Sequence, residues 1–265
     1  MVRVVPSWSR RRRVPRWVRR PIGPLLLLLL WQVAVWTGTA GTDLLASPAT
    51  VVRTLWHLSA DGELGGAIAV SLERVGKGVL IGGIAGISLA LLAGLFRVGE
   101  DLIDASVQML RTVPFVGLIP LFIIWFGIGE TPKIALVALG VAFPLYLNTY
   151  AGVRNVDAGL VEAARTLGLS RFGLIRHVIL PGALPSALVG VRYSLGVAWL
   201  ALIFAEQINA NQGIGQLMMD AQEFQRTDVI LACLVVYAFL GLAVDAIVRL
   251  LERALLSWRP AFSGS

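Results

Sequence analysis

Long charge-free stretches alternate with short charged intervals along the chain. The first run covers residues 22–42, and others separate Lys77 from Arg97, Arg111 from Glu130, Lys133 from Arg154 and Asp228 from Asp245. A further apolar span starts near Pro185 and reaches Glu206, with Arg192 in its first third. Each is close to the ~20 residues that carry a helix across the hydrocarbon of a bilayer. The second can start as early as Ser71, which places Glu73, Arg74 and Lys77 on its outer turns. The pattern predicts an all-α, polytopic membrane protein with about six transmembrane helices.

Composition agrees with the pattern. Of the 265 residues, 57% are hydrophobic and only 15% are charged, against roughly a quarter charged in soluble domains. Cys233 is the sole cysteine, so neither an internal disulfide nor a cysteine metal cluster is available. Arg3, Arg10, Arg11, Arg12, Arg13, Arg16, Arg19 and Arg20 all precede the first apolar run. A basic tail can contact nucleic acid or anionic lipid. Placed directly before a membrane-length run, it reads as a topology signal that keeps the N-terminus cytoplasmic, and no nucleic-acid partner is expected. A cleaved signal peptide fits less well, because the apolar run continues through Trp36 and more spans follow.

With both termini inside, the cytoplasmic segments hold eighteen of the twenty-three Lys and Arg residues. The external segments hold Arg53, Lys133 and Arg226, with Arg74 and Lys77 at the start of span two. That bias is what the positive-inside rule predicts for a multi-pass protein of the plasma or inner membrane. The resulting division is a basic cytoplasmic tail at 1–21, a first transmembrane helix at 22–42, a five-helix core at 66–250 and a cytoplasmic C-terminal tail at 251–265. Within the core, residues 154–192 form a cytoplasmic loop.

Several features bear on packing and chemistry. Gly78, Gly82, Gly86, Ala90 and Gly94 recur every four residues, so one face of span two can approach another helix closely, within the chain or across a dimer. Pro114 and Pro120 in span three and Pro144 in span four are expected to bend their helices. No phosphate-binding Gly-x-x-x-x-Gly-Lys-Ser/Thr loop occurs, and His57 and His177 lack metal-ligand spacing. No carboxylate or histidine relay crosses the spans, which argues against a proton-coupled carrier. Arg192 and Glu206 lie nearest the interior and are the tentative pathway residues. Charges near helix ends more often snorkel to the surface.

The loop between spans four and five has its own local structure. Asp157 is placed to cap a helix in which Leu160, Val161, Ala164 and Leu167 share a face and Glu162, Arg165 and Thr166 lie elsewhere. Gly168 suits the left-handed position just past a helix end. Ser170 is placed to cap a second short helix carrying Phe172, Ile175 and Ile179 and stopping before Pro181. Ala163 and Ala164 leave room for another surface to approach. Without further pattern, a docking element and an amphipathic hairpin resting on the bilayer fit equally well.

The spacing Glu162-Ala163-Ala164, Gly168, Val178, Leu180-Pro181 resembles the signature loop of permease subunits in bacterial ATP-binding-cassette importers. Valine replaces the usual isoleucine. The stretches SLERVGKG, QMLRTVP, PLFIIWFGIGE and HVILPGALPSALVGVRYSLGVAWLALIFAE look like the sulfonate, taurine and nitrate branch. NANQGIGQLMMDAQEFQRTDV and RNVDAGLVEAARTLGLS are most similar to the aliphatic-sulfonate permeases.

The resemblance implies a type I importer permease fold working as a dimer with a second permease copy. A partner ATPase dimer would bind ATP and Mg, with no cofactor in this chain, and an extracytoplasmic substrate-binding protein would deliver the solute. Glu162, Ala163, Ala164, Gly168, Leu180 and Pro181 would then form the ATPase-coupling loop, and the chain itself would catalyse no reaction.

On the external side, Asp43, Asp61, Glu63, Glu130, Glu206, Asp220, Glu223 and Asp228 outnumber three bases. Such a face would not draw in an anion over long range, so capture falls to the binding protein. The alternatives are the same machinery carrying taurine, nitrate or another small solute, and a stand-alone secondary transporter or channel.

Overall fold

The computed structural model describes residues 22–38 and 45–256. The arginine-rich tail, Asp43 and the last nine residues lie outside the described residues, and so do the roles expected of them. Among the described residues every regular element is helical.

Helix α1, Ile22–Trp36, is fifteen residues long with no residue buried. Over the described residues it is about 22 Å long. Trp31 ties it to the following segment by donating from Nε1 to the Ala46 carbonyl at 3.1 Å. Helix α2, Pro48–Ala60, was not expected from the pattern. Its cap is legible in retrospect, because Ser47 Oγ accepts from the Thr50 amide and Pro48 opens the helix. Thr54 then donates to Asp228 at 2.7 Å.

Helix α3, Glu63–Leu95, runs for thirty-three residues, about 50 Å. It starts well before the Ser71 boundary read from charge. Arg74 and Lys77 therefore lie inside a long helix rather than at its start. Both are partnered, Lys77 by Glu73 one turn earlier and Arg74 by two glutamates from other elements.

The third span departs furthest from expectation. Helix α4, Arg97–Leu110, and the helical segment α5, Phe115–Phe126, meet at 89°. Charge counting reads Arg97–Arg111 as one of the cytoplasmic segments, an interval that is helical here. Pro114 sits extended at the break, and Pro120 lies in the first turn of the helix that follows. Neither proline bends a continuous helix. A proline pushes the residue before it out of helical geometry and costs nothing at a helix start, where its missing N–H has no partner anyway. Tyr146 donates to Asp104 and Tyr150 to Glu100, both at 3.0 Å, and these bonds hold α4 in place.

Helix α6, Glu130–Arg154, passes through Pro144 without ending. After the short α7, Ala158–Thr166, helix α8 runs unbroken over Arg171–Ile208. Amphipathic α9, Ile214–Glu223, crosses over to α10, Thr227–Leu255. Four helices (α3, α6, α8 and α10) have the length and composition to cross a membrane, and the bent pair makes a fifth. The six predicted segments thus comprise four full helices, one bent pair and the shorter α1.

Helix α6 lies between α3 and α8 and forms the centre of the bundle. The small-residue face of α3 packs on it within the chain. A Cβ at Gly86 would stand 2.7 Å from the Ala142 carbonyl oxygen, while Gly78, Gly82 and Gly94 meet Val137, Ala138 and Val153. On the other side, Gly140, Gly152 and Gly190 provide equally close contacts between α6 and α8. Leu136, Val137, Val141, Ala201 and Leu202 fill the core between them. The outward faces of α1 and α10, including Leu27, Leu30, Phe239, Leu242 and Leu250, remain exposed and apolar, as lipid contact requires.

Candidate functional site

The two central helices α6 and α8 are joined at one end of the bundle by a compact hairpin. Asp157 Oδ1 accepts from the Gly159 and Leu160 amides at 2.7 and 3.2 Å and caps α7. At its other end, the Gly168 amide donates to Arg165 O and the Leu169 amide to Ala164 O, with Gly168 at φ +82°. This paired closure needs a residue without a Cβ at the left-handed position. Ser170 Oγ then accepts from the Gly173 amide at 3.2 Å and starts α8. The local reading from sequence holds here bond by bond.

Two other features of that reading are corrected, the end of the second helix and the apolar face of α7. The second helix does not stop before Pro181. It widens into a π-helical turn over Ile175–Ile179 and continues as α8 through Leu180, Pro181 and Pro185. A wide turn lengthens the backbone ring, so a proline lacking its N–H can be accommodated without a break. Span five accordingly begins at the hairpin and not near Pro185.

Glu162 and Ala163 are exposed, whereas Ala164 is buried and serves the hairpin's own packing. Leu160, Leu167 and Phe172 stand 62%, 81% and 70% exposed beside Glu162, Arg165 and Arg171. The apolar face expected of α7 is therefore split, with Ala164 turned inward and both leucines outward. Leu180 is exposed and Pro181 half-buried at the root of the hairpin. The root is gripped tightly: a Cβ at Gly152 would lie 2.8 Å from Ala183 O, and one at Gly182 would lie 3.1 Å from Val156 Cγ2. Replacing Asp157 by Ala removes a cap worth about 1 kcal/mol. Cleavage by trypsin after Arg165 or Arg171 is then expected to speed up roughly fivefold, as measured by limited proteolysis in detergent.

The two tentative pathway residues are far apart. Arg192 lies just past the middle of α8 and is paired with Glu252 at 2.8 Å and Asp245 at 3.6 Å on α10, all partly exposed. Glu206 lies near the opposite end of α8 and is 0% exposed. It does not snorkel. It accepts from Ser71 Oγ at 2.8 Å, from Arg74 Nη1 at 2.7 Å and from the Gly215 amide at 2.9 Å.

Arg74, only 4% exposed, is the residue that charge counting missed. It also binds Glu130 through Nε and Nη2 at 2.5 and 2.7 Å, and the Gln212 carbonyl through Nη1 at 2.5 Å. Lys133 completes the group, donating to Glu130 at 3.2 Å and Gly129 O at 2.9 Å. Arg74, Lys133 and Glu206 are buried, and Glu130, with its side chain 55% exposed, closes the group at the surface. Two cations and two carboxylates thus neutralise one another, the condition under which buried charge is tolerated. The signal present in the sequence was Arg74 on the same face as Ser71 and Gly78, the face that the glycine stripe buries.

Residues 78–257 match the family described as binding-protein-dependent transport system inner membrane component. The chain is 51% identical over 255 residues to the putative aliphatic sulfonates transport permease protein SsuC of Escherichia coli K12, covering 94% of this chain and 96% of that one. Its identity to the Bacillus subtilis 168 protein of the same description is 43%, covering 94% and 90% of the two chains. The taurine transport system permease protein TauC of Escherichia coli K12 is 35% identical, covering 92% and 90%.

Among solved structures, an inward-facing form of the MetNI methionine ABC transporter superposes with a TM-score of 0.61 at 21% identity, covering 70% of this chain and 92% of that one. An amino acid ABC transporter crystallised with histidines gives 0.63 at 18% identity, covering 76% and 97%. These likenesses establish the type I importer permease fold. The chain belongs to the binding-protein-dependent transport system inner membrane components, as a multi-pass permease subunit of an ABC importer.

Proposed function

We propose that this permease imports aliphatic sulfonates, and that the hairpin of α7 and the start of α8 is where a separate ATPase subunit docks and drives the helices. The observation that carries the coupling role is the exposed surface of Glu162, Ala163, Leu160, Leu167 and Phe172 on a hairpin whose roots are the two central helices. An exposed apolar cluster with a charged rim is the anatomy of a docking site. Because α6 and α8 pack closely along their length, a displacement of the hairpin is transmitted as a rigid-body tilt rather than lost in a loop. ATP and Mg belong to the ATPase in this reading, and a second permease copy completes the pathway. The hairpin faces the cytoplasm, as the arginine distribution requires.

The opposite end carries exposed Asp61, Glu63, Asp220 and Glu223, while Glu130 and Glu206 are already neutralised by Arg74 and Lys133. That end remains acidic and does not concentrate anions. Delivery by a binding protein resolves this, since the anion arrives enclosed.

Similarity to the sulfonate permeases supports the cargo, and the lower similarity to the taurine protein favours taurine as second reading. Uptake into proteoliposomes of the permease, its ATPase and the cognate binding protein decides between them. Labelled alkanesulfonate uptake should require ATP and be displaced by unlabelled alkanesulfonate at concentrations at least tenfold below those of taurine or nitrate. Preferential displacement by taurine would reassign the cargo, and uptake driven by an ion gradient without ATP would overturn the importer mechanism.

A further inference from the structure

At the end of the bundle away from the hairpin, α8 gives way to residues 210–213 and the amphipathic helix α9, which together form a cap. The inner face of α9 is buried through Ile214, Leu217 and Ala221 against Leu58, Leu64 and Ala67. An open cleft of about 440 Å³ follows its other side, lined by Glu63, Gly66, Gln212, Gln216 and Asp220 among others. Apolar packing of this kind holds a helix to a surface but does not fix its register. The polar contacts do that. Ile214 N donates to Ser71 Oγ at 3.0 Å, Gly215 N donates to Glu206, and Gln212 O accepts from Arg74.

Arg74 is the centre of this arrangement. Four of its five N–H donors are used on three separate elements: Glu130 at the outer end of α6, Glu206 near the outer end of α8, and the main chain of the cap. Both carboxylates belong to the helices whose other ends carry the hairpin. A planar guanidinium can hold a carboxylate side-on while its remaining N–H groups reach elsewhere. A lysine ammonium, a single point on a flexible stem, cannot do so. Gly213 and Gly215 reinforce the geometry. A Cβ at Gly213, which has φ +131°, would stand 2.5 Å from the Glu206 carboxylate, and one at Gly215 would stand 2.6 Å from Glu206 Cβ.

We propose that Arg74 is a positioning residue for transport: through Glu130, Glu206 and the Gln212 carbonyl it fixes the 210–223 cap to the outer ends of the two hairpin-bearing helices. Binding-protein docking on the cap and ATPase engagement at the hairpin then become movements of one body. This rests on the importer reading above and adds to it a residue that sets how strongly the two ends communicate.

The test is Arg74→Lys in the assembled transporter, with Glu130→Gln as a milder companion in case the first fails to insert. Two readouts are taken: hydrogen exchange at the Ile214 and Gly215 amides, and the ratio of ATP hydrolysis with and without binding protein loaded with an alkanesulfonate. The expected result is exchange at least tenfold faster in the cap and a stimulation ratio at least fivefold lower, with ATPase still bound to the hairpin. Unchanged exchange would show that Arg74 does not hold the cap and overturn the proposal. Faster exchange with undiminished stimulation and uptake would overturn it equally, because cap position would then be irrelevant to coupling. If the unmodified transporter shows no stimulation by binding protein, the importer reading fails instead, and the exchange measurement still decides whether Arg74 holds the cap.

Discussion

Reversing the charge at Glu162 with Arg is expected to abolish uptake while leaving the protein inserted and folded. Glu162 is exposed on α7, and its side chain makes none of the bonds that close the hairpin. The fold therefore gains little from it. Its neighbours on the exposed surface are Arg165 and Arg171, so Arg at 162 leaves three cations facing any partner. Loss of a central contact at an interface costs 2 kcal/mol or more, and like-charge apposition adds to it. A total near 3 kcal/mol corresponds to roughly a hundredfold weaker ATPase binding.

Co-purification of the ATPase and ATP-dependent uptake measure the effect, and retained uptake would reject the docking role. Gly168→Val tests the same hairpin by another route. At φ +82° a β-branched residue is strongly disfavoured, and the paired closure of α7 has no alternative geometry. The two variants should agree in function although one alters the surface and the other the turn.

Gly82→Val is expected to have the largest effect on stability. A Cβ at Gly82 would run into the carbonyl of Ala138, which is backbone and cannot rotate away. Helices α3 and α6 must then separate, which strains the hold of Arg74 on Glu130 across the same seam. Overpacking of this kind costs about 3 kcal/mol, or a fall of roughly 6–12 °C in Tm for a domain of this size. Thermal unfolding in detergent reads it directly. Gly83→Ala is the control: its Cβ would meet only Leu145 Cδ2 at 3.8 Å, ordinary contact, so Tm should hold or rise slightly. An equal loss from both substitutions would mean that glycine matters for helix flexibility and not for close approach.

Much of the hairpin was legible in the sequence because its determinants are local. Asp157, Gly168 and Ser170 each act within four residues along the chain, and a cap or a left-handed turn is specified by the residue that occupies it. The glycine stripe of α3 was legible for the same reason, since period-four spacing follows from helix geometry. Which helix it would meet was not, because that depends on the path of the chain through α4 and α5. Their 89° break came from Pro114, which a hydropathy window passes over since it counts polarity and not backbone geometry.

The buried charges show the boundary most clearly. Counting charge along the chain treats Arg74, Glu130 and Glu206 as three interruptions of apolar runs, each best placed at a water-facing end. They are 56 and 132 residues apart from Arg74 in sequence and within one guanidinium's reach in space. Burial of Arg74 or of Glu206 is unfavourable alone and tolerable when the two pair, with half-exposed Glu130 completing the group, so their position is a property of the assembled helices. The sequence by itself therefore determined that the chain is helical and membrane-spanning, where its hairpin lies and what family it resembles. Only the tertiary structure decided that the outer ends of α6 and α8 are joined through Arg74, because that requires three distant segments to meet at one guanidinium.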